Sequence, residues 1–328
     1  MAHPRSPTQD GGEGDGYHHQ LAWGLWLEAA AGEAWTRLAA AGVPAILLKG
    51  PAIKRWLYRD DEPRLSRDVD LLVAPDNFDR AQGALAALGY ETRLAGAPAC
   101  EIGPNSMLLF GTNDVCIDLH RHLIGAGGAE GRCWEVLSRH TVSFALVTGT
   151  SVDILDIPAR AMHLALHAAQ SGTADTKALA DLERGLDQLG DDDWRAAAAV
   201  ADAMRATPAF VAGLMLCPPG APLAERLALH PDNTVELELR TMGARPESLF
   251  FVRLAEVPGA GAKLSVVGRK LWPTRAFMHT NYPLATRRWP GLLAARLWRP
   301  VLLVAHGAPA LLTWLQARSR VVHSRRRA

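Results

Sequence analysis

Ser66-Arg67-Asp68-Val69-Asp70-Leu71-Leu72-Val73 reads as a strand whose two faces carry opposite chemistry. Side chains alternate along a strand, so Val69, Leu71 and Val73 point into a core while Asp68 and Asp70 share the other face. Two carboxylates at i and i+2 repel unless a cation sits between them. Mg2+ suits that position, because this hard ion takes carboxylate oxygens together with substrate phosphates. Taken alone, Asp-x-Asp describes a solvated strand end equally well, so the neighbouring segments decide. Downstream, Ser106 to Phe110 and Val115 to His120 read as two strands joined by the turn-forming Gly111-Thr-Asn-Asp114. The second of them places Asp118 and His120 on one face. A third carboxylate on a neighbouring strand completes a two-metal site, in which the ions clamp the attacking and leaving oxygens of an in-line displacement.

Working outward, Leu21 to Ala41 repeats apolar and Ala positions at helical spacing and stops at Gly42. Val43 to Leu48 is a short strand-type apolar run. Lys49-Gly50-Pro51 turns it into a helix through Tyr58, with Pro suited to the first helical turn. Ala81 to Leu88 is a helix closed by Gly89, and Tyr90 to Leu94 a return strand. This alternation makes residues 17–157 an α/β domain. After Pro158, the runs Ala159 to Gln170, Thr176 to Leu189 and Asp192 to Ala206 are Ala/Leu-rich and helical, and residues 158–262 read as a helical domain. Residues 1–16 are polar and Gly-rich with no apolar run, which excludes a signal peptide and reads as a disordered leader.

With 328 residues, 48% hydrophobic and 21% charged, the chain is globular, and two domains are expected. Its four cysteines are scattered with no Cys-x-x-Cys pair, which excludes a disulfide scaffold and fits a reducing, cytoplasmic setting. The net charge of +1 conceals an asymmetry: residues 263–328 hold 13 of the 35 basic residues and none of the 34 acidic ones. A basic end on an acidic body implies an anionic partner or surface. Pro300 to Ala317 is apolar but interrupted by His306, Gly307, Pro309 and Gln316, too short for a bilayer span of about 20 residues. Two readings of 263–328 stand. In one, Trp272, Trp289, Trp298 and Trp314 sit at headgroup depth and the arginines meet anionic lipid, a peripheral contact on the inner face of the membrane. In the other, Leu292 to Leu315 packs on the helical domain and the arginines form its wet face. Long Leu/Ala/Pro runs argue against a nucleic-acid groove there.

Further groups bear on chemistry. Lys49-Gly50 stands at a strand-to-helix turn that favours an anion, and Lys49 or Arg67 adds charge against a triphosphate. His163 and His167 lie at i, i+4, as zinc ligands can, but the run lacks a Glu and is flanked by Leu164 and Leu166, which points to core histidines. Lys177 and Asp181 lie one turn apart, which on a solvated helix is an ordinary ion pair. No Gly-x-Ser-x-Gly, Walker loop or Gly-x-Gly-x-x-Gly is present.

Leu48-Lys49-Gly50, Leu57-Tyr58, Arg67 to Val73 and Asp118-Leu119-His120, in that order and spacing, resemble the DNA polymerase β-like nucleotidyltransferase superfamily, and more specifically its uncharacterised bacterial branch. The resemblance is clearest over about residues 43 to 122 and extends more faintly through His163 to Asp181 and the tail. It implies an α/β (α+β) nucleotidyltransferase core with a mixed sheet, followed by an α-helical domain. It also implies Mg2+-dependent transfer of NMP from an NTP to a hydroxyl acceptor, with release of pyrophosphate. Asp68 and Asp70 would then bind Mg2+, and Asp118 would hold the ion that activates the acceptor. Lys49, Gly50, Arg67 and Lys177 would face the nucleotide, with His120 steadying Asp118 and Asp181 beside Lys177. The wider superfamily carries Gly-Ser where this chain has Lys49-Gly50-Pro51. That departure motivates the alternative, a non-catalytic nucleotide-binding or scaffold protein that kept the fold. No residue chooses the acceptor among a small molecule, a sugar and a peptide or protein.

Overall fold

The structure is a computed structural model that describes residues 13–328 apart from 63, 65, 92–105, 112–114, 130, 231–233, 245, 274, 276–277, 279–281, 287 and 328. Most of the leader, part of the Tyr90 to Leu94 strand and most of the Gly111 to Asp114 turn therefore lie outside the described residues. Glu13 to Gly16 do not belong to a disordered leader but open helix α1, Glu13–Ala40.

Six strands form one mixed sheet in the order β3-β4-β2-β1-β6-β5. They are β1 (Ala45–Leu47), β2 (Asp68–Val73), β3 (Ser106–Phe110), β4 (Cys116–His120), β5 (Thr141–Ala145) and β6 (Ser151–Leu155). β2 runs antiparallel to β1 and parallel to β4, and Asp70 lies directly opposite Asp118. The alternation read from the sequence holds on both strands. Val69, Leu71 and Val73, with Ile117 and Leu119, pack under α1 and α3 (Phe78–Ala86). Leu72 belongs instead to the core on the opposite side of the sheet.

That second core extends across the composition change at Pro158. Ile46, Leu48, Leu72 and Leu155 of the sheet region join Met162, Leu166, Leu182, Trp194 and Phe210 of the helices in one buried cluster. The helices are α5 (Ile157–Ser171), α6 (Thr176–Gln188), α7 (Asp191–Ala203) and α8 (Thr207–Leu214), after the short α4 (Arg132–Leu137). Asp156 caps α5 by accepting from the Ala159 N–H at 3.0 Å, and Asp175 caps α6 in the same way. α5 can lie in the centre because its buried positions are mostly alanine, so neighbouring helices approach closely. At the crossing with α8, a Cβ on Gly213 would stand 1.9 Å from the Ala165 carbonyl oxygen, so only glycine fits.

Beyond α8 come α2's counterparts in length, the short α9 (Gly220–Arg226) and α10 (Val235–Thr241), α2 itself being Pro51–Leu57. They are followed by α11 (Pro246–Glu256), α12 (Ala260–Leu271) and a 40-residue α13 (Arg288–Arg327). The apolar run that reads as interrupted is thus one continuous helix through Pro300 and Pro309. Both prolines occupy exposed positions, where water can satisfy the carbonyls that lose an N–H partner.

Candidate active site

Because β2 and β4 are parallel neighbours in register, Asp68, Asp70 and Asp118 emerge on the same face of the sheet, with His120 two residues beyond Asp118. Asp70 is 3% exposed, so its charge needs partners. Lys49 Nζ lies 2.9 Å from Asp70 Oδ1. His120 Nε2 lies 3.3 Å from the same oxygen and 3.2 Å from Asp118 Oδ2. The other oxygen of Asp118 is buried and has no hydrogen-bond partner. Asp70, Asp118 and His120 each offer a ligand atom, all within 4.8 Å of one another, and they form a metal-capable group among the described residues.

Opposing forces set the protonation of these groups. Burial alone would raise the Asp70 carboxyl, but the Lys49 charge and the His120 hydrogen bond outweigh it and hold it well below the usual carboxylate range. Asp68, half-buried beside Asp70, is pushed up, because desolvation and the Asp70 charge outweigh the Lys49 charge. Burial favours loss of the Lys49 proton, yet the Asp70 charge prevails and raises the ammonium pKa. The balance for His120 is similar: burial lowers its pKa, while hydrogen bonds to Asp118 and Asp70 raise it to about 9.

A pH dependence of stability follows. The unfolded His120 releases its proton near 6.5, whereas the folded one keeps it to about 9. Its contribution is therefore complete below pH 6.5 and is lost as pH rises through 9, about 3 kcal/mol in all. In metal-free buffer, urea melts from pH 6 to 10 should show stability falling across that window. A His120→Gln variant should be flat there, and an unchanged slope in the variant would refute the assignment.

Beside the carboxylates opens a cleft of about 320 Å3, lined by Lys49, Gly50, Asp68 and Asp70 on one side and by Leu21 and Leu25 of α1 on another. Gly50 has φ 70° and ψ −122°, a backbone only glycine adopts readily, although a Cβ there would meet nothing within 4 Å. The helix it precedes has only seven residues, so the Lys49 ammonium supplies the local positive charge.

Arg67 is exposed and is not among the residues lining the cleft. Alternation turns it away from the face that Asp68 shares with Asp70. Arg64, three residues earlier, lines the cleft instead. Its Nε and Nη2 donate to Asp181 at 2.9 and 2.6 Å, and the Tyr58 hydroxyl donates to the same carboxylate at 2.5 Å. Asp181 is therefore not half of a solvated pair with Lys177 but the buried anchor of Arg64. The sequence held a signal for this. Ala178, Asp181, Leu182 and Gly185 form the buried stripe of α6, and an acid on such a stripe must have a partner. Lys177, half-buried, has its pKa lowered by burial and by Arg64, against the opposing charge of Asp181, while Lys49 and Asp68 act on it more weakly.

The histidine alternative to this site is a core arrangement. Burial holds His163 down at about 3, and it hydrogen-bonds the Leu48 backbone. His167 is likewise well below its usual value because of burial, and His122 bonds the Ala126 carbonyl at 3.1 Å.

Residues 25–219, from α1 to just beyond α8, match the family described as uncharacterised nucleotidyltransferase. No curated protein matches the chain. Among solved structures it is similar to the antibiotic-resistance factor ANT(2'')-Ia, with TM-score 0.37 and 17% identity, over 54% of this chain and 92% of that one.

Proposed function

The chain belongs to this uncharacterised nucleotidyltransferase family, and from that membership we propose that it transfers NMP from an NTP to a hydroxyl acceptor, with Mg2+ at Asp70 and Asp118 and pyrophosphate as the leaving group. The observation that carries the metal assignment is the buried, partnerless Asp118 Oδ1 next to Asp70 and His120. Carboxylate oxygens on adjacent strands are the donor set a hard divalent cation takes, with Asp68 beside them for a second ion. Held there, Mg2+ would lower the pKa of the attacking hydroxyl and neutralise phosphate charge.

The chain's own residues supply the rest. Lys49, paired with Asp70 and lining the cleft beside it, would exchange Asp70 for triphosphate oxygens as a point charge. Gly50 lets the backbone turn there without a side chain. Lys177 adds positive charge from α6, which the Arg64–Asp181 pair fastens to the segment leading into β2. His120 stands across Asp70 and Asp118 and keeps both carboxylates oriented.

A second reading has its own support. Lys49 and His120 already act as internal cations for the acidic cluster, which suits a protein that binds nucleotide without turnover. Calorimetry with ATP, GTP, CTP and UTP, with and without Mg2+, should show at least one nucleotide binding only with the ion. Incubation of the full chain and α-labelled nucleotide with cell extract should then yield an acceptor heavier by one NMP. Binding without any adduct would select the second reading, and no binding at all would defeat nucleotidyl transfer and leave a scaffold that kept the fold.

A further inference from the structure

Helix α13 reverses the expected disposition of its side chains. Ala295, Arg299, Ala310, Ala317 and Val321 are its buried positions. Ala317 packs with Leu239 of α10 and Val252 of α11, and Ala295 with Met278 and Ala285. Arg299, 7% exposed, donates to the Lys270 carbonyl at 2.9 Å and to the Tyr282 hydroxyl at 2.7 Å. Leu293, Leu297, Val301, Val304, Leu312 and Leu315 are 46–69% exposed. At 100° per residue these six fall within about 100° of arc, opposite the buried set. At about 1.5 Å per residue the stripe is about 33 Å long.

Its surroundings define what covers it. Between Trp289 and Ala317 the only charged residues are Arg296 and Arg299. Arg299 is buried, and Arg296 lies over the Trp272 ring at 4.8 Å, so the exposed stripe is uncharged. Trp289 and Trp298, 73% and 56% exposed, border it. Residues 263–328 carry 13 basic and no acidic residues, five of them from Arg318 onward. A groove of about 840 Å3 opens on its flank, lined by Leu311, Phe251 and Trp314, with Lys263, Arg318 and the Arg240-paired Glu236. An apolar stripe edged by indoles, on a helix that ends in arginines, suits the surface of an anionic bilayer, which offers hydrocarbon to the stripe, an interface to the rings and headgroup charge to the arginines.

We propose that α13 docks the protein on anionic membrane by lying flat, with the Leu293-to-Leu315 stripe in the lipid interface. By length and composition Trp289–His323 is also long and apolar enough to cross a bilayer, although the run read as too short. Its other face is committed to α10 and α11, and Arg320 pairs with Glu238 at 3.4 Å. Spanning would require these polar contacts to be stripped away, whereas lying flat keeps them.

The test is sedimentation of the full chain with vesicles of phosphatidylcholine alone or mixed with phosphatidylglycerol. The expected result is pelleting with the mixed vesicles, at least about tenfold weaker partition to phosphatidylcholine, and release by high salt. Val301→Asp/Val304→Asp should lose at least about tenfold in partition, and Leu297→Gln/Leu312→Gln should weaken it in the same direction. All four sites are exposed, so circular dichroism and urea melts should match the parent and separate lost docking from misfolding. Three outcomes would overturn the proposal. One is recovery in the supernatant with both vesicle compositions, and another is resistance to both salt and alkaline carbonate, which indicates a spanning helix. The third is a dimer without vesicles that Val301→Asp/Val304→Asp converts to monomer, which assigns the stripe to a second copy.

Discussion

Asp70→Asn should stop nucleotidyl transfer, lowering the labelled-adduct rate by at least about 10³-fold, because the amide cannot serve as an anionic ligand for a divalent cation. The fold should survive. Asp68, Asp70 and Asp118 face the cations Lys49 and His120, so removing one negative charge leaves two against two. Asn keeps the shape of the side chain and an oxygen for Lys49 and His120. The melting free energy should therefore move by no more than about 1–2 kcal/mol, less than the loss of a buried ion pair whose partner is left alone. Mn2+ binding followed by electron paramagnetic resonance should vanish together with activity. Transfer at the parent rate in Asp70→Asn would remove this carboxylate from the mechanism, and transfer lost with Mn2+ binding intact would remove it as a ligand.

The largest stability effect is expected at Arg64. Both side chains of the Arg64–Asp181 pair are 2% exposed. Arg64→Ala takes the two-pronged partner from a buried carboxylate, and Asp181→Ala takes that carboxylate from a buried guanidinium. Each should cost about 3–5 kcal/mol, or roughly 10 °C in melting temperature. Arg64→Met/Asp181→Leu, which leaves no unpaired charge, should recover most of the loss, so the double-mutant cycle should be strongly non-additive. Additive costs would mean that the two side chains do not act as a pair. Because α6 carries Lys177, Arg64→Ala should also weaken nucleotide binding before it unfolds the chain.

Legibility of the sequence tracked how local each signal was. β2, β3 and the Asp118–His120 strand were readable from alternation alone, and the shared face of Asp68 and Asp70 follows from it directly. The hairpin of β5 and β6 was not, because β5 is an edge strand with mostly exposed or half-buried residues and so carries a weak hydrophobic pattern. The ion pairs were not readable at all. Lys49 with Asp70 and Arg64 with Asp181 join segments far apart in the chain, and nothing near Arg64 distinguishes it from Arg67. In α13 the apolar positions were visible, but which side faces water depends on Arg299 finding the Lys270 carbonyl and the Tyr282 hydroxyl, a tertiary event.

The placement of β1 has a consequence for how the chain is made. Its three residues are all fully buried, yet Leu47 is flanked by Leu71 on one side and by Ile154 on the other. During synthesis the first partner emerges early and the second only late. At about 5–20 residues per second, on the order of 10 s separate Leu47 from Ile154 at the ribosome exit. Through that interval a wholly apolar strand has one open edge and no cover from α5, which is made later still. A nascent chain in that state is a template for pairing with another copy of itself. Its yield in cells should depend on whether a holdase shields residues 43–73 until β6 arrives.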